Sequence, residues 1–377
     1  MSPPGSAFGA LAGRAEPEAQ PFGRHKLNAV CVKPHLPQGG AASGPAKPDL
    51  RRPLVGGTFG GTVGGTVGGI AGETADGIAG EFAGIDMGAP LLPLSDRRNR
   101  VMWLNNDRVF YAGLLGPVSL RTMGGWLVYA SLGAPLRIAL EDSTAGIGAA
   151  DAPWQTAQLA VVPPWVPHRV ACDERLICSI TIEPETVDAA ALPAWLRQHA
   201  GPVPASHPDA LPMLQRVRAA HAWLRCHGQQ VDWQTGCFDQ ALFGHMLAPR
   251  RVDPRIAQVL QGMRDDPARL TSAQDCAARV GLSFSRFLHL FKAEVGTPFR
   301  SLRTWKRARS LLHHVTRDAS LVHVALDTGY PDSTHFSHSI RQVYGLKPRE
   351  LFAGSRQLTV LGDSPAARAA ARAEAWR

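Results

Sequence analysis

Ser272-Ala273-Gln274-Asp275-Cys276-Ala277-Ala278-Arg279-Val280-Gly281-Leu282-Ser283-Phe284-Ser285-Arg286-Phe287-Leu288-His289-Leu290-Phe291-Lys292 decides the fold of the C-terminal third. The stretch reads as a short helix with small inner residues, a glycine, and a second helix restarted by Ser283. A tight turn between short helices needs a left-handed residue at the C-cap, which glycine adopts without steric cost; Gly281 fills that place. A second stretch of the same layout turns at Gly329, 48 residues later: Leu321-Val322-His323-Val324-Ala325-Leu326-Asp327-Thr328-Gly329-Tyr330-Pro331-Asp332-Ser333-Thr334-His335-Phe336-Ser337-His338-Ser339-Ile340-Arg341. The two glycines set Ala277 against Ala325 and Leu282 against Tyr330, and the second helices set Phe287 against Phe336 and His289 against His338. A small residue at the crossing of two helices lets their backbones approach. One such pattern is weak evidence, because helix, glycine, helix is common; two of the same layout point to a tandem helix-turn-helix domain and hence to double-stranded DNA.

Between the motifs, Phe299, Leu302, Trp305, Ala308, Leu311 and Leu312 recur at helical spacing after Pro298 and predict a connecting helix over 298–313. Its other face carries Arg300, Arg303, Lys306, Arg307 and Arg309. Such a helix is roughly 24 Å long, enough to hold two recognition helices in major-groove segments about 34 Å apart. Phe287, Phe291 and Phe336 fall on the inner stripes and are expected in the core.

The run from Asp253-Pro254-Arg255-Ile256 through Gly345-Leu346-Lys347-Pro348-Arg349-Glu350-Leu351-Phe352 resembles the DNA-binding domain of AraC/XylS-type bacterial transcription regulators. The resemblance includes both glycines, Leu290-Phe291-Lys292, the Glu294-Val295-Gly296 turn and the closing Gly-Leu-Lys-Pro. It implies an all-α domain over 251–355, with base-facing positions at Ser285, Leu288 and His289 in the first recognition helix and Ser333, Thr334, His335 and His338 in the second. Phosphate contacts are expected from Arg286, Lys292, Arg303, Lys306, Arg307 and Arg341. Members commonly carry arginine, the best-shaped partner for guanine, where this chain has His289 and His338. The target sequence therefore differs from that of better-known relatives. The resemblance also implies RNA polymerase, a small-molecule effector and a homodimer as partners.

Charge agrees. Of a net +9, residues 251–352 hold sixteen Lys and Arg against nine Asp and Glu, the footprint that phosphate binding requires. No run of eighteen apolar residues predicts a membrane span. The six cysteines, Cys31, Cys172, Cys178, Cys226, Cys237 and Cys276, show neither CxxC pairing nor disulfide-framework spacing, which fits a reducing cytoplasm; the resemblance implies association with the bacterial nucleoid.

Residues 1–95 are dominated by Gly, Ala and Pro and carry the tetrads Gly56-Gly57-Thr58-Phe59, Gly60-Gly61-Thr62-Val63 and Gly64-Gly65-Thr66-Val67. Such a segment offers too little apolar surface to fold and is expected to be disordered. Two readings stand for it, a flexible tail or an initiator at Met87 or Met102.

From about residue 100 short strands begin. Leu176, Cys178, Ile180 and Ile182 alternate with Ile177, Ser179 and Thr181, the pattern of a half-buried strand, and Trp126-Leu127-Val128-Tyr129 reads as another. Leu159-Ala160-Val161-Val162-Pro163-Pro164-Trp165-Val166-Pro167-His168-Arg169-Val170 resembles the turn of cupin-like sensor domains. A small cupin-like β-barrel over 100–183 is expected, followed by connecting and dimerising helices over 186–248 and a flexible tail over 356–377. The overall class is α+β and multidomain.

His168 is the sole histidine of 100–183, so the metal site of catalytic cupins is not expected; no cofactor, metal or catalytic residue is assigned. Trp126, Trp165 and His168 are the candidate effector contacts, although core packing for the tryptophans and a backbone-bonded turn for His168 explain them as well. The helical stripe Leu214, Val217, His221 and Leu224 suits either a dimer contact or packing on the barrel. The leading function is sequence-specific regulation of transcription. The alternative, a DNA-repair or modification protein using the same domain, needs a reactive cysteine in a metal or Pro-Cys-His setting, and no such setting surrounds Cys172, Cys178, Cys226 or Cys237.

Overall fold

The computed structural model describes residues 99–141, 152–227, 235–269, 271–316 and 320–362, and the Gly-rich segment 1–95 lies outside them. The α+β organisation expected from the sequence is present, with a sheet-built N-terminal region and a helical C-terminal domain. Strands β1 (Val101–Leu104), β2 (Arg108–Leu114), β3 (Trp126–Ala130), β6 (Leu159–Val162), β8 (Leu176–Ile182), β9 (Gly201–Pro202) and β10 (Thr359–Gly362) form one sheet in the order β10-β1-β2-β8-β3-β6-β9. A second sheet, β5-β4-β7, is built from β4 (Leu136–Leu140), β5 (Gln155–Ala157) and β7 (His168–Cys172).

Register explains why the large sheet is buried on both faces. Trp103 pairs with Phe110, Phe110 with Ile180 and Ile180 with Val128, and all four lie in one core with the helices α1 (Ala194–Gln198), α2 (Ala210–His227) and α3 (Thr235–Phe243). On the opposite face, Leu127, Tyr129, Ala160 and Ile177 pack against Leu136, Ile138 and Val170 of the second sheet. The half-buried reading of β8 is thereby corrected. Ile177 and Thr181 are buried too, because this strand is central and a second layer covers its other side.

The sheet also reaches further along the chain than the expected 100–183. β9 adds one edge and β10 the other, pairing in parallel with β1 from Val101↔Thr359 to Leu104↔Gly362. Residues 356–362 are therefore no loose tail. Leu358 and Leu361 are buried, whereas 363–377 lie outside the described residues. In α2, the stripe of Leu214, Val217, His221 and Leu224 is buried against the sheet, and His221 Nε2 donates to the Asn99 carbonyl at 2.7 Å. Packing, the second of the two readings of that stripe, is what the structure has.

The C-terminal domain comprises α4 (Pro254–Asp265), α5 (Ala273–Arg279), α6 (Phe284–Val295), α7 (Phe299–Ser310), α8 (Leu321–Asp327), α9 (Ser333–Tyr344) and α10 (Pro348–Ser355). Gly281 (φ 66) and Gly329 (φ 77) take the left-handed conformation that both turns require. At Gly329 a side chain would also collide with the Ala268 carbonyl. α5 starts in a capping box in which Ser272 Oγ accepts from Asp275 N at 3.0 Å and Asp275 accepts from Ser272 N at 3.0 Å. Ser272→Ala should destabilise the domain by about 1 kcal/mol; an unchanged denaturant midpoint would show the box to be idle.

The two regions share one interface. Met102, Leu104 and Val109 of the sheet join Ile256, Phe287, Trp305 and Tyr344 in a single core. Beside it, Lys306 contacts Glu183 and Glu185, and Arg309 Nε lies 2.6 Å from Glu183 Oε1. Arg309 Nη2 also donates to the carbonyls of Asn105 and Arg108, the latter at 3.1 Å. Arg108 in turn pairs with Asp239 of α3 at 2.8 Å. Burial pushes the Glu185 carboxyl up to about 7 and the Lys306 ammonium downward.

Candidate nucleic-acid interface

Each motif holds its second helix by an inner aromatic and a polar cap. Phe287, Phe291 and Phe299 stack in a triangle with centroids 5.3–5.8 Å apart, and all three are buried, as expected for the first two. In the second motif Phe336 packs edge-on to Tyr330 at 5.3 Å, and Ile340 is fully buried. Ser283 caps α6 through Arg286 N, and Asp332 caps α9 through Thr334 N and His335 N, both at 2.8 Å.

With those stripes turned inward, the opposite faces are open. Ser285 and His289 on α6, and Ser333, Thr334, His335 and His338 on α9, are exposed; Leu288 is half-buried. His335 Nδ1 lies 2.7 Å from Asp332 Oδ2. Hydrogen bonds from the backbone and ring of His335 hold the Asp332 carboxyl below its ordinary range, so the carboxylate is the acceptor and Nδ1 the donor. This orienting carboxylate sits in the sequence three residues before its histidine and was not singled out there.

The expected phosphate contacts divide. Arg286, Lys292 and Arg341 are exposed, and Arg303 is half-buried, with Nη1 donating to the Thr271 carbonyl at 2.7 Å. Lys306 and Arg307 correct the expectation of a basic, phosphate-facing stripe. Lys306 is consumed by Glu183 and Glu185, and Arg307 is buried, where desolvation lowers its pKa. Only the N-terminal half of α7 presents its cations.

The three candidate effector contacts do not converge. Trp126 lies on the helix-covered face of the large sheet, opposite Ile182. Trp165 holds a left-handed backbone (φ 66), a strained conformation for a bulky residue. Its N–H donates to the Met123 carbonyl at 2.8 Å, and its ring closes over Gly124 together with Trp305 of α7. His168 is fully buried, with Nδ1 3.0 Å from the Val166 carbonyl and Nε2 2.9 Å from the Tyr129 hydroxyl. Burial pushes its pKa down to about 3, so the ring is neutral: Nδ1–H donates to Val166 and Nε2 accepts from Tyr129. This is the backbone-bonded turn histidine weighed from the sequence, now with a partner that the sequence did not reveal.

Of the described cysteines, Cys172, Cys178, Cys237 and Cys276 are buried and Cys226 is exposed; desolvation raises the thiol pKa of Cys178 and Cys276. No described helix is long and apolar enough to cross a membrane.

A family profile described as a helix-turn-helix domain matches residues 276–354. The HTH-type transcriptional activator RhaS of Escherichia fergusonii is 34% identical over 154 residues, which cover 37% of this chain and 55% of that protein. The invasion protein InvF of Salmonella typhi is 35% identical over 72 residues, 19% of this chain and 33% of its own length. The chain thus spans about half or less of the curated relatives it matches. Among solved structures, an apo ToxT variant of Vibrio cholerae aligns over 66% of this chain and 98% of its own, at 10% identity and TM-score 0.42.

Proposed function

We propose that this chain, whose residues 276–354 are an AraC-type helix-turn-helix domain, is a sequence-specific transcription regulator reading two successive major-groove segments. One observation carries the reading: six of the seven base-facing side chains are exposed on two helices whose opposite stripes are locked in a common core. Ser285, Leu288 and His289 read one segment, and Ser333, Thr334, His335 and His338 the next. Arg286, Lys292, Arg303 and Arg341 supply the phosphate contacts. The N-terminal region acts as the sensor for a small-molecule effector, RNA polymerase is the downstream partner, and a homodimer would form through surfaces other than the buried stripe of α2.

The test is genome-wide mapping of bound DNA, followed by affinity measurements on the site it identifies. His289→Ala and His338→Ala should each cost about 1–2 kcal/mol of operator affinity and relax preference at the bases that helix reads. Binding that stays equally tight and equally selective in the double variant would remove these histidines as readers.

A further inference from the structure

Arg121 is 93% buried, and its Nε and Nη2 have no hydrogen-bond partner. No described carboxylate pairs with it; Arg307, less deeply buried, shares that lack, whereas Arg108, Lys306 and Arg309 each have a carboxylate partner. An isolated charge in an apolar interior is costly, and an unpaired buried group points to an absent ligand or ion. The two unpartnered nitrogens are not arbitrary. Nε–H and Nη2–H form the side-on edge of a guanidinium, the edge that takes an oxyanion through two parallel bonds.

Its surroundings are fixed. The Tyr129 hydroxyl, close enough to feel the Arg121 charge, donates to His168, whose other nitrogen is held on the Val166 carbonyl. Backbone bonds between Arg121 and His168 run in both directions, at 3.1 and 3.0 Å. Tyr111 lies close enough to feel the charge, and Tyr111 and Met123 border both the core of the second sheet and the core of the C-terminal domain. Arg121 therefore sits at the seam of the two regions.

We propose that Arg121 is the anion-binding residue of a buried effector site, and that its ligand is a small organic monocarboxylate held on the Nε–Nη2 edge. This deepens the sensor reading given above and rests on it. One cation in an apolar setting balances one negative charge; a dianionic sulfate or phosphate would leave a second charge buried without compensation. Segment 116–124, which carries Arg121, touches the second helix-turn-helix motif and α7. Thr122 N donates to the Gln342 carbonyl at 3.2 Å, Ser119 and Leu120 abut Gly345, and Gly124 abuts Trp305. Admission of the ligand moves this segment, and with it the seating of α9.

The experiment follows thermal unfolding of the full chain as sodium acetate replaces sodium chloride at constant ionic strength, with sodium sulfate as a second arm. Acetate should raise the midpoint saturably, by about 3–6 °C at tenfold above half-saturation. The rise should vanish in Arg121→Met and need at least tenfold more acetate in Tyr129→Phe, which keeps the charge but removes the hydroxyl beside it. Without acetate, Arg121→Met should be no less stable than the parent, because it removes an uncompensated charge; Arg121→Lys, which keeps the charge but lacks the fork, gives the same answer should that variant not fold. A parent midpoint indifferent to acetate, a rise that survives in Arg121→Met, or a response to sulfate alone overturns the proposal. A chain that responds to acetate but recognises no operator keeps the site and sinks the regulator reading. A chain that binds its operator and ignores acetate does the reverse.

Discussion

Glu183→Ala should lower the unfolding free energy by about 3–5 kcal/mol, the usual cost of removing one partner from a buried ionic cluster. Glu183 has no solvent exposure, and both of its oxygens face cations of α7, Arg309 and Lys306. With Glu185 the group is balanced, two carboxylates against two cations, and deletion of one carboxylate leaves a buried positive charge. Charge balance can be restored by a second substitution, Lys306→Met, so the double variant should recover much of the loss and yield a coupling energy well above that of an exposed pair. A Glu183→Ala protein within 1 kcal/mol of the parent in urea unfolding would mean that water reaches the cluster.

Acid should destabilise the fold through His168. Its folded pKa is pushed down to about 3 by burial, against an ordinary 6.5, so below that value the unfolded chain takes up a proton that the folded one refuses. Stability from this group is present above about pH 6.5 and is lost as pH falls toward 3. By pH 4 the loss is roughly 3 kcal/mol. Glu185 acts in the opposite sense: its raised pKa contributes stability at low pH that disappears as pH rises through about 7. The clean measurement is the difference between the parent and His168→Gln, in which the Glu185 contribution cancels. That difference should shrink toward acid pH, and parallel stability profiles for the two proteins would show that His168 does not resist protonation.

The helical domain was legible because its signals are local. Gly281, Gly329, the inner phenylalanines and the capping serines act within a turn or two of themselves, and the sequence places them side by side. The interface was not legible. Lys306 and Arg309 look like a solvated basic face until Glu183 and Glu185, more than a hundred residues earlier, are folded against them. The same distance effect hid β10, four residues long, whose only reason to be a strand is the free edge of β1. Arg121 gave no signal either; its meaning depends on what is missing around it. The backbone bond of His168 could be weighed from the sequence, although the residue opens β7; its Tyr129 partner lies across the sheets and could not be read from spacing.

Strand β10 also sets an order on synthesis. Its partner Val101 leaves the ribosome 258 residues before Thr359, which at translation rates of about 5–20 residues per second is a delay of roughly 13–50 s. For that interval β1 presents an unpaired backbone edge, the feature through which nascent sheets associate with the wrong neighbour. The last described strand is the one that shields it, so a ribosome that stops between residues 355 and 359 releases a chain whose DNA-reading helices are all present but whose strand β1 is still uncovered.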